Sequence, residues 1–187
     1  MPGHHLRRMS RRLATLHTLR NKQNRLEAFD LEMMERAIQL ASRAATAGEV
    51  PVGAVVYRGR EILGEAANNR EQAADPTGHA EIVALREAGR NVGEWRLQQC
   101  TVAVTLEPCP MCAGAMVNAR VGRLIYGASD PKAGACSSLY EITDDQRLNH
   151  RLETIGGVME RPCARLLTGF FRKRRLEKRK RRDAARR

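Results

Sequence analysis

The chain has 187 residues and a formal net charge of +12, from 33 Lys and Arg against 21 Asp and Glu. That length predicts one domain with one hydrophobic core, rather than a two-domain enzyme or a repeat array. No apolar run approaches the roughly 20 residues that a membrane-spanning helix needs, so we expect no membrane partner.

The hydrophobic pattern predicts helices that alternate with short strands. In chain order we predict a helix over 31–47, strands over 52–57 and 62–67 joined as a hairpin, a helix over 79–90 after a polar loop, a strand over 101–106, a helix over 110–119, a strand over 123–127, and a last helix from Pro162 into the basic C-terminus. This order fits helices packed on a mixed sheet, which is an α/β fold.

The positive charge is concentrated at the two ends of the chain. Residues 1–30 carry seven basic residues against two acidic ones, and residues 172–187 carry eleven against two, which leaves the middle near neutral. Blocks of like charge bury too little apolar surface to offset the entropy cost of ordering. We therefore predict a disordered N-terminal extension over 1–30, a domain over 31–171, and a basic helix end and tail over 172–187. Such tails favour a polyanionic partner, with solubility alone as the alternative.

The cysteine count bears on the cellular compartment. Five cysteines, an odd number in a chain without a secretion signal, favour a reducing compartment such as the cytoplasm over a disulfide framework. Residues 1–19 are rich in Arg and lack acids, which is also the composition of an organelle transit peptide, so that alternative stays open.

Two short motifs decide the chemistry, His79-Ala80-Glu81 and Pro108-Cys109-Pro110-Met111-Cys112. A CxxC pair alone suits a redox pair or half of a structural zinc site equally well. A structural site needs a second pair of ligands, whereas Cys100, Cys136 and Cys163 are scattered singly. Cys136 and Cys163 have no role beyond small buried thiols. A redox pair does not need His-x-Glu at the start of the preceding helix. Three ligands, one histidine and two cysteines, are typical of a catalytic zinc with one open position.

The acidic residue of the first motif has a separate task. Both ligand groups begin predicted helices, where backbone N–H groups and the helix dipole stabilise thiolates. Zinc with two thiolates acidifies water less strongly than zinc with three histidines, so a nearby base is needed. Glu81 lies two residues from His79, so its side chain diverges from the ligand and can move protons instead. His-x-Glu followed by Pro-Cys-x-x-Cys is the signature of zinc nucleobase deaminases.

About residues 31–180 resemble the bacterial tRNA-specific adenosine deaminases, a family within the cytidine deaminase-like superfamily. The resemblance rests on six segments: residues 48–55, 75–82, 105–116, 126–135, 149–151 and 170–175. It implies a three-layer fold, with a five-stranded mixed sheet between helices, and a homodimer. It also implies hydrolytic deamination of adenosine to inosine at the wobble position of the tRNA anticodon, a loop base that is splayed out at little cost.

The resemblance assigns roles to individual residues. His79, Cys109 and Cys112 match the ligands of one zinc ion per chain, and Glu81 matches the residue that carries protons to N1 of adenine and to the leaving amine. The residues that match contacts to the RNA are Asn68 (the flipped nucleoside), Asp130 and Lys132 (a loop beside the target base), and Phe171 and Arg174 (the anticodon stem-loop). Without the family, Asn68 and the Asp130 loop are ordinary turns, and the last helix is a solvated helix end.

Three other functions share these motifs. A deaminase of free guanine, cytosine or nucleosides has the same zinc and glutamate positions, but it does not need the basic C-terminus. A riboflavin-pathway deaminase usually carries an additional reductase domain, for which this length leaves no room. A catalytically inactive, zinc-stabilised RNA-binding module has no use for Glu81, a carboxylate that is not a ligand.

Overall fold

The computed structural model describes residues 26–186, so nearly all of the predicted N-terminal extension lies outside the described residues. In chain order the elements are α1 (Ala28–Thr46), β1 (Gly53–Arg58), β2 (Glu61–Ala67), a short α2 (Arg70–Ala73), α3 (Ala80–Val92), β3 (Thr101–Leu106), α4 (Pro110–Asn118), β4 (Arg123–Ala128), a 3₁₀ turn (Ile142–Asp144), β5 (Glu153–Gly156) and α5 (Glu160–Ala184). Among these residues, no helix is long and apolar enough to cross a membrane.

The five strands form one mixed sheet in the order β2-β1-β3-β4-β5. β1 pairs antiparallel with both β2 and β3, whereas β3, β4 and β5 run parallel to one another. The apolar, β-branched run of β1 is buried because the strand lies in the middle of the sheet with a helix on each face.

Helices cover both faces of the sheet. On one face, α1 and α5 enclose a core that includes Met34, Val55 and Ile125, and on the other, α3 and α4 enclose a core that includes Val56, Leu85 and Met116. Successive residues of β1 thus enter opposite cores, as the pleat of a strand requires. The expected five-stranded mixed sheet between two helical layers is confirmed.

Helix α1 begins at Ala28, three residues before the predicted start. A capping box explains the earlier start, because the Glu27 N–H donates to Asp30 Oδ2 at 2.8 Å and the Glu27 side chain accepts from the Asp30 backbone. Asp30 is 1% exposed and pairs with Arg123 of β4 at 2.7 Å. The boundary predicted after residue 30 therefore falls inside a helix whose first turn is anchored to the sheet.

The other predicted elements differ mainly at their ends. The strand over 101–106 is confirmed, and α5 begins at Glu160 with Pro162 in its first turn. The predicted polar loop contains the short helix α2. The sequence pattern missed β5, which has four residues and only one buried side chain, Ile155, so it lacks a recognisable alternation.

Candidate metal centre

The candidate metal ligands lie at the starts of two helices on the same face of the sheet. His79 is the N-cap residue of α3, Cys109 is the N-cap residue of α4, and Cys112 lies in the first turn of α4. Pro110 at the first position of α4 suits a helix start, because its missing N–H has no helical partner there. Two turns that precede helices thus bring together donors that are 30 residues apart in the sequence.

The three donor atoms are spaced as a tetrahedral metal site requires. His79 Nδ1 lies 3.6 Å from Cys109 Sγ and 3.5 Å from Cys112 Sγ, and all three donors lie within 4.8 Å of one another. Zinc–sulfur bonds of about 2.3 Å and zinc–nitrogen bonds of about 2.0 Å at tetrahedral angles place such donors about 3.5–3.8 Å apart. The donor set therefore fits a zinc-like metal ion.

These three groups also shift the pKa values of one another. Hydrogen bonds, first with the Cys112 thiol and then with His79, lower the pKa of Cys109 to about 4. The bond to Cys109, followed by burial, raises the pKa of Cys112, and the bond to Cys109 raises the pKa of His79. One thiolate is thus already favoured at this position, which is the form in which cysteine binds metals.

Glu81 lies in the first turn of α3 and is 4% exposed. Burial raises the pKa of its carboxyl, which also forms a hydrogen bond with the Cys112 side chain. Glu81 does not belong to the group of three donors. The structure therefore places a buried carboxylate directly beside the donor cluster and leaves it outside the ligand set.

Asn68 follows β2 and is buried. Its Nδ2 donates to Glu49 Oε2 at 3.0 Å, and the other oxygen of Glu49 accepts the Gln72 N–H at 2.8 Å. The next residue, Asn69, donates its N–H to the carbonyl of Gly78 at 3.0 Å. The segment after β2 is thus tied to the turn that ends at His79, and the Asn68 side chain is fixed next to this turn.

Asp130 and Lys132 lie in the loop after β4. Asp130 Oδ1 accepts the N–H groups of Lys132 at 2.9 Å and Ala133 at 3.2 Å, and the Lys132 residue is exposed. The Asp130 N–H donates to Glu107 Oε2 at 3.0 Å, and Glu107 lies two residues before Cys109. This loop is therefore tied to the turn that holds the cysteine donors.

Phe171 and Arg174 lie on α5, in the helical layer opposite α3 and α4. Phe171 is 42% exposed and packs edge-on against Phe170, and the Arg174 guanidinium lies 5.6 Å from the centre of the Phe170 ring. The structure thus places these two residues apart from the donor cluster, on the exposed second half of the helix.

Sequence reasoning did not assign roles to two buried carboxylates, Glu49 and Glu107. They are 1% and 2% exposed, and each binds a segment next to the donor cluster. The signal that could have found them is their position, because each acid adjoins the end of an apolar element, where a solvated acid is not expected.

Comparisons with known proteins agree with this geometry. The model of the MafB19-like deaminase family matches residues 29–175. The chain is 49% identical to the tRNA-specific adenosine deaminase of Haemophilus influenzae over 151 residues, which cover 80% of this chain and 87% of that protein.

Solved structures show the same fold. One, from work on A-to-I editing by tRNA:A34 deaminases at the wobble position of transfer RNA, matches with a TM-score of 0.70 and 38% identity over 73% of this chain and 99% of that one. The guanine deaminase of Bacillus subtilis matches with a TM-score of 0.51 and 38% identity, over 52% of this chain and 63% of that one.

Proposed function

The chain belongs to the tRNA-specific adenosine deaminases, and from that premise we propose that it hydrolyses adenosine to inosine at the wobble position of the tRNA anticodon. The observation that carries this proposal is the donor cluster of His79, Cys109 and Cys112 with the buried carboxylate of Glu81 beside it. Such a set suits the replacement of an amine by water at a purine carbon.

His79, Cys109 and Cys112 would hold one zinc ion per chain. Their spacing and their soft sulfur donors favour zinc over hard cations such as magnesium. When bound, zinc supplies Lewis-acid activation of water at neutral pH. Cys112 is buried, whereas His79 and Cys109 are partly exposed, so these two residues border the side from which a base can enter.

Glu81 moves the protons of the reaction. It takes a proton from the attacking water and delivers it to N1 of adenine, and it then takes the proton of the hydroxyl group newly bonded to C6 and delivers it to the amine that leaves C6. The products are inosine and ammonia. A carboxylate outside the ligand set can serve these transfers in turn because the metal does not hold its oxygens.

Residues beside the cluster, together with others on α5, would hold the RNA. Asn68, fixed by Glu49, binds the flipped nucleoside, while Asp130 and Lys132 contact the RNA beside the target base. Phe171 and Arg174 bind the anticodon stem-loop through the exposed half of α5. The continuous basic surface of that helix suits the phosphates of the stem.

We also propose that the protein is a homodimer that acts in the cytoplasm. The outer surface of α3 and α4 carries an apolar groove of about 640 Å³, and its main lining residues are Ile82, Leu85, Trp95, Leu97 and Ala115. The rim holds both basic and acidic residues, Arg90 and Glu94 among them, so the surface can pair with a second copy of itself across a two-fold axis. The five free cysteines of the chain suit a reducing compartment, which supports the proposed location in the cytoplasm.

The proposed function is tested by comparing substrates. We expect inosine and ammonia from a tRNA anticodon stem-loop, with turnover of free adenosine, cytidine and guanine lower by orders of magnitude. The similarity to a guanine deaminase makes that activity the second candidate. Preferential release of ammonia from free guanine would overturn the proposal. RNA binding without any deamination would instead indicate the inactive binding module.

A further inference from the structure

Glu107, directly after β3, has a carboxylate surrounded by hydrogen-bond donors from one loop. Its Oε1 accepts the N–H groups of Cys136 at 3.1 Å, Ser137 at 2.8 Å and Ser138 at 2.9 Å. Its Oε2 accepts the Asp130 N–H at 3.0 Å and the Ser138 hydroxyl. All of these bonds are donated to the carboxylate, so both of its oxygens act as acceptors within the loop.

The loop from Asp130 to Ser138 is folded closely around this carboxylate. A Cβ atom added at Gly134 would lie 2.4 Å from Glu107 Cδ and 2.4 Å from Oε2, so only glycine fits there. Asp130, held by Glu107, in turn accepts the Lys132 N–H. A chain of hydrogen bonds thus runs from the buried carboxylate to the exposed tip of the loop.

The same turn also carries a metal donor. Glu107 lies two residues before Cys109, and the intervening Pro108 accepts the Ala135 N–H at 2.8 Å. The loop is therefore attached twice to the segment that delivers Cys109 to the donor cluster. Any movement of the loop relative to that cluster must break these bonds.

We propose that Glu107 is a positioning residue for the RNA: it sets the place of the Asp130–Lys132 tip relative to the metal site, so that the tip meets the nucleotide beside the target base. The inference rests on the proposed function. It assigns to Glu107 an indirect part in RNA binding, through the position of the loop, and leaves the chemical step to Glu81. A preformed loop binds RNA without an ordering cost, which is how preorganisation raises affinity.

Replacement by glutamine tests this role with little change in shape. The glutamine oxygen can take the Oε1 position and keep the three bonds from Cys136, Ser137 and Ser138. Its NH₂ group then faces the Asp130 N–H, donor against donor, while the Ser138 hydroxyl can turn to accept. Glu107→Gln therefore breaks the Asp130 bond selectively.

The experiment measures steady-state deamination of an anticodon stem-loop RNA, zinc content, and RNA affinity in a Glu81→Gln background without turnover. For Glu107→Gln we expect KM and Kd for the RNA to rise about three- to tenfold, as the loss of one such bond predicts, with kcat and zinc content unchanged. Glu61→Gln, an exposed substitution in the β1–β2 hairpin, is the matched control and should change none of these values.

A second variant approaches the same contact from the loop. Gly134→Ala forces a methyl group against the Glu107 carboxylate and should raise KM and Kd in the same way. Unchanged RNA affinity in both variants would overturn the inference. A fall in kcat with loss of zinc would also overturn it, because Glu107 would then support only the turn that carries Cys109. If the wild-type protein itself does not deaminate the RNA, the proposed function fails instead.

Discussion

At the scale of single residues, the proposed function separates metal binding from proton transfer. His79, Cys109 and Cys112 contribute the three donors, and Glu81 lies beside them without joining them. If this division is correct, the two tasks can be removed one at a time.

Substitution of Glu81 should remove catalysis and preserve the other properties of the protein. Glu81→Gln keeps the size of the side chain and removes its basic oxygen, so zinc content, fold and RNA affinity should stay within a few-fold of the wild type. Inosine formation should fall by about 10⁴-fold or more, because one carboxylate serves several proton transfers and each general acid–base step contributes about 10²–10⁴. Single-turnover kinetics with metal analysis measures both. Substantial inosine formation by this variant at full zinc occupancy would contradict the role of Glu81.

Substitution of a ligand should have the opposite pattern. Cys109→Ala removes one of three donors, so zinc content and activity should both be lost, and the melting temperature should fall because metal binding is coupled to folding. Cys163→Ala is the control, since this thiol is fully buried and packs against β4 on the other face of the sheet, away from the donors. Stoichiometric zinc in purified Cys109→Ala protein would show that the ligand set is wrong.

At the scale of elements, α1 depends on one buried anchor. Burial by itself raises the pKa of Asp30, but hydrogen bonds from Arg123 of β4, Tyr57 of β1 and the Glu27 backbone outweigh it and lower that pKa below its usual value. A carboxyl with a lowered pKa stabilises the folded state when it is ionised. This stabilisation is complete above the pKa of about 3.9 in the unfolded chain and is lost as the pH falls from there through the folded pKa.

The anchor predicts a pH-dependent effect of substitution. Asp30→Asn should reduce the free energy of unfolding by about 2–3 kcal/mol at pH 7, because it leaves the Arg123 charge without its carboxylate partner. The difference from the wild type should shrink as the pH falls below 4. Urea unfolding at both pH values measures it. Glu32→Gln, on the exposed face of the same helix, should show no such difference, and an equal loss in both variants would argue against the anchor.

The sequence predicted elements well where the evidence is local. The strand over 101–106 has its predicted ends, because an apolar β-branched run there stops at Glu107-Pro108. The roles of Glu49 and Glu107 were missed, since each depends on partners more than 18 residues away that local patterns do not show. The start of α1 was missed because its capping box uses Glu27 and Asp30 in place of the usual Ser or Thr followed by Glu or Gln. The three residues of the donor cluster could be selected from the sequence because the motifs combine residue types that a core or a turn rarely needs together, and the structure brings their donor atoms together.

At the scale of the whole molecule, α5 extends far beyond the part that packs on the sheet. Its 25 residues span about 37 Å. Cys163 is fully buried near its start, whereas every residue from Phe171 to Arg186 is exposed. The family match ends at residue 175, so the last basic residues continue the helix beyond the shared domain.

Removal of residues 176–187 should weaken binding of full-length tRNA and flatten the dependence of its affinity on salt, because fewer phosphates are neutralised. Zinc content should not change, because the donors lie in the domain. A variant that keeps the length but replaces the basic residues of this segment by glutamine should behave like the truncated protein. If the tRNA affinity of both variants depends on salt as strongly as that of the wild type, the tail contributes only solubility.

If the three donors bind zinc as proposed, their distance in sequence makes zinc uptake a late event in the folding of the chain. An unfolded chain presents only the cysteines of the CxxC pair close together, and two thiolates alone bind zinc more weakly than the complete set. His79 joins them from 30 residues upstream when α3 and α4 have both docked on the sheet. The entropy cost of closing the segment between His79 and Cys109 is therefore offset by folding, before the metal binds. Metal occupancy thus indicates that the layer formed by α3 and α4 has assembled on the sheet. A chain that misfolds in this region would therefore stay without zinc, because the third donor would not reach the other two.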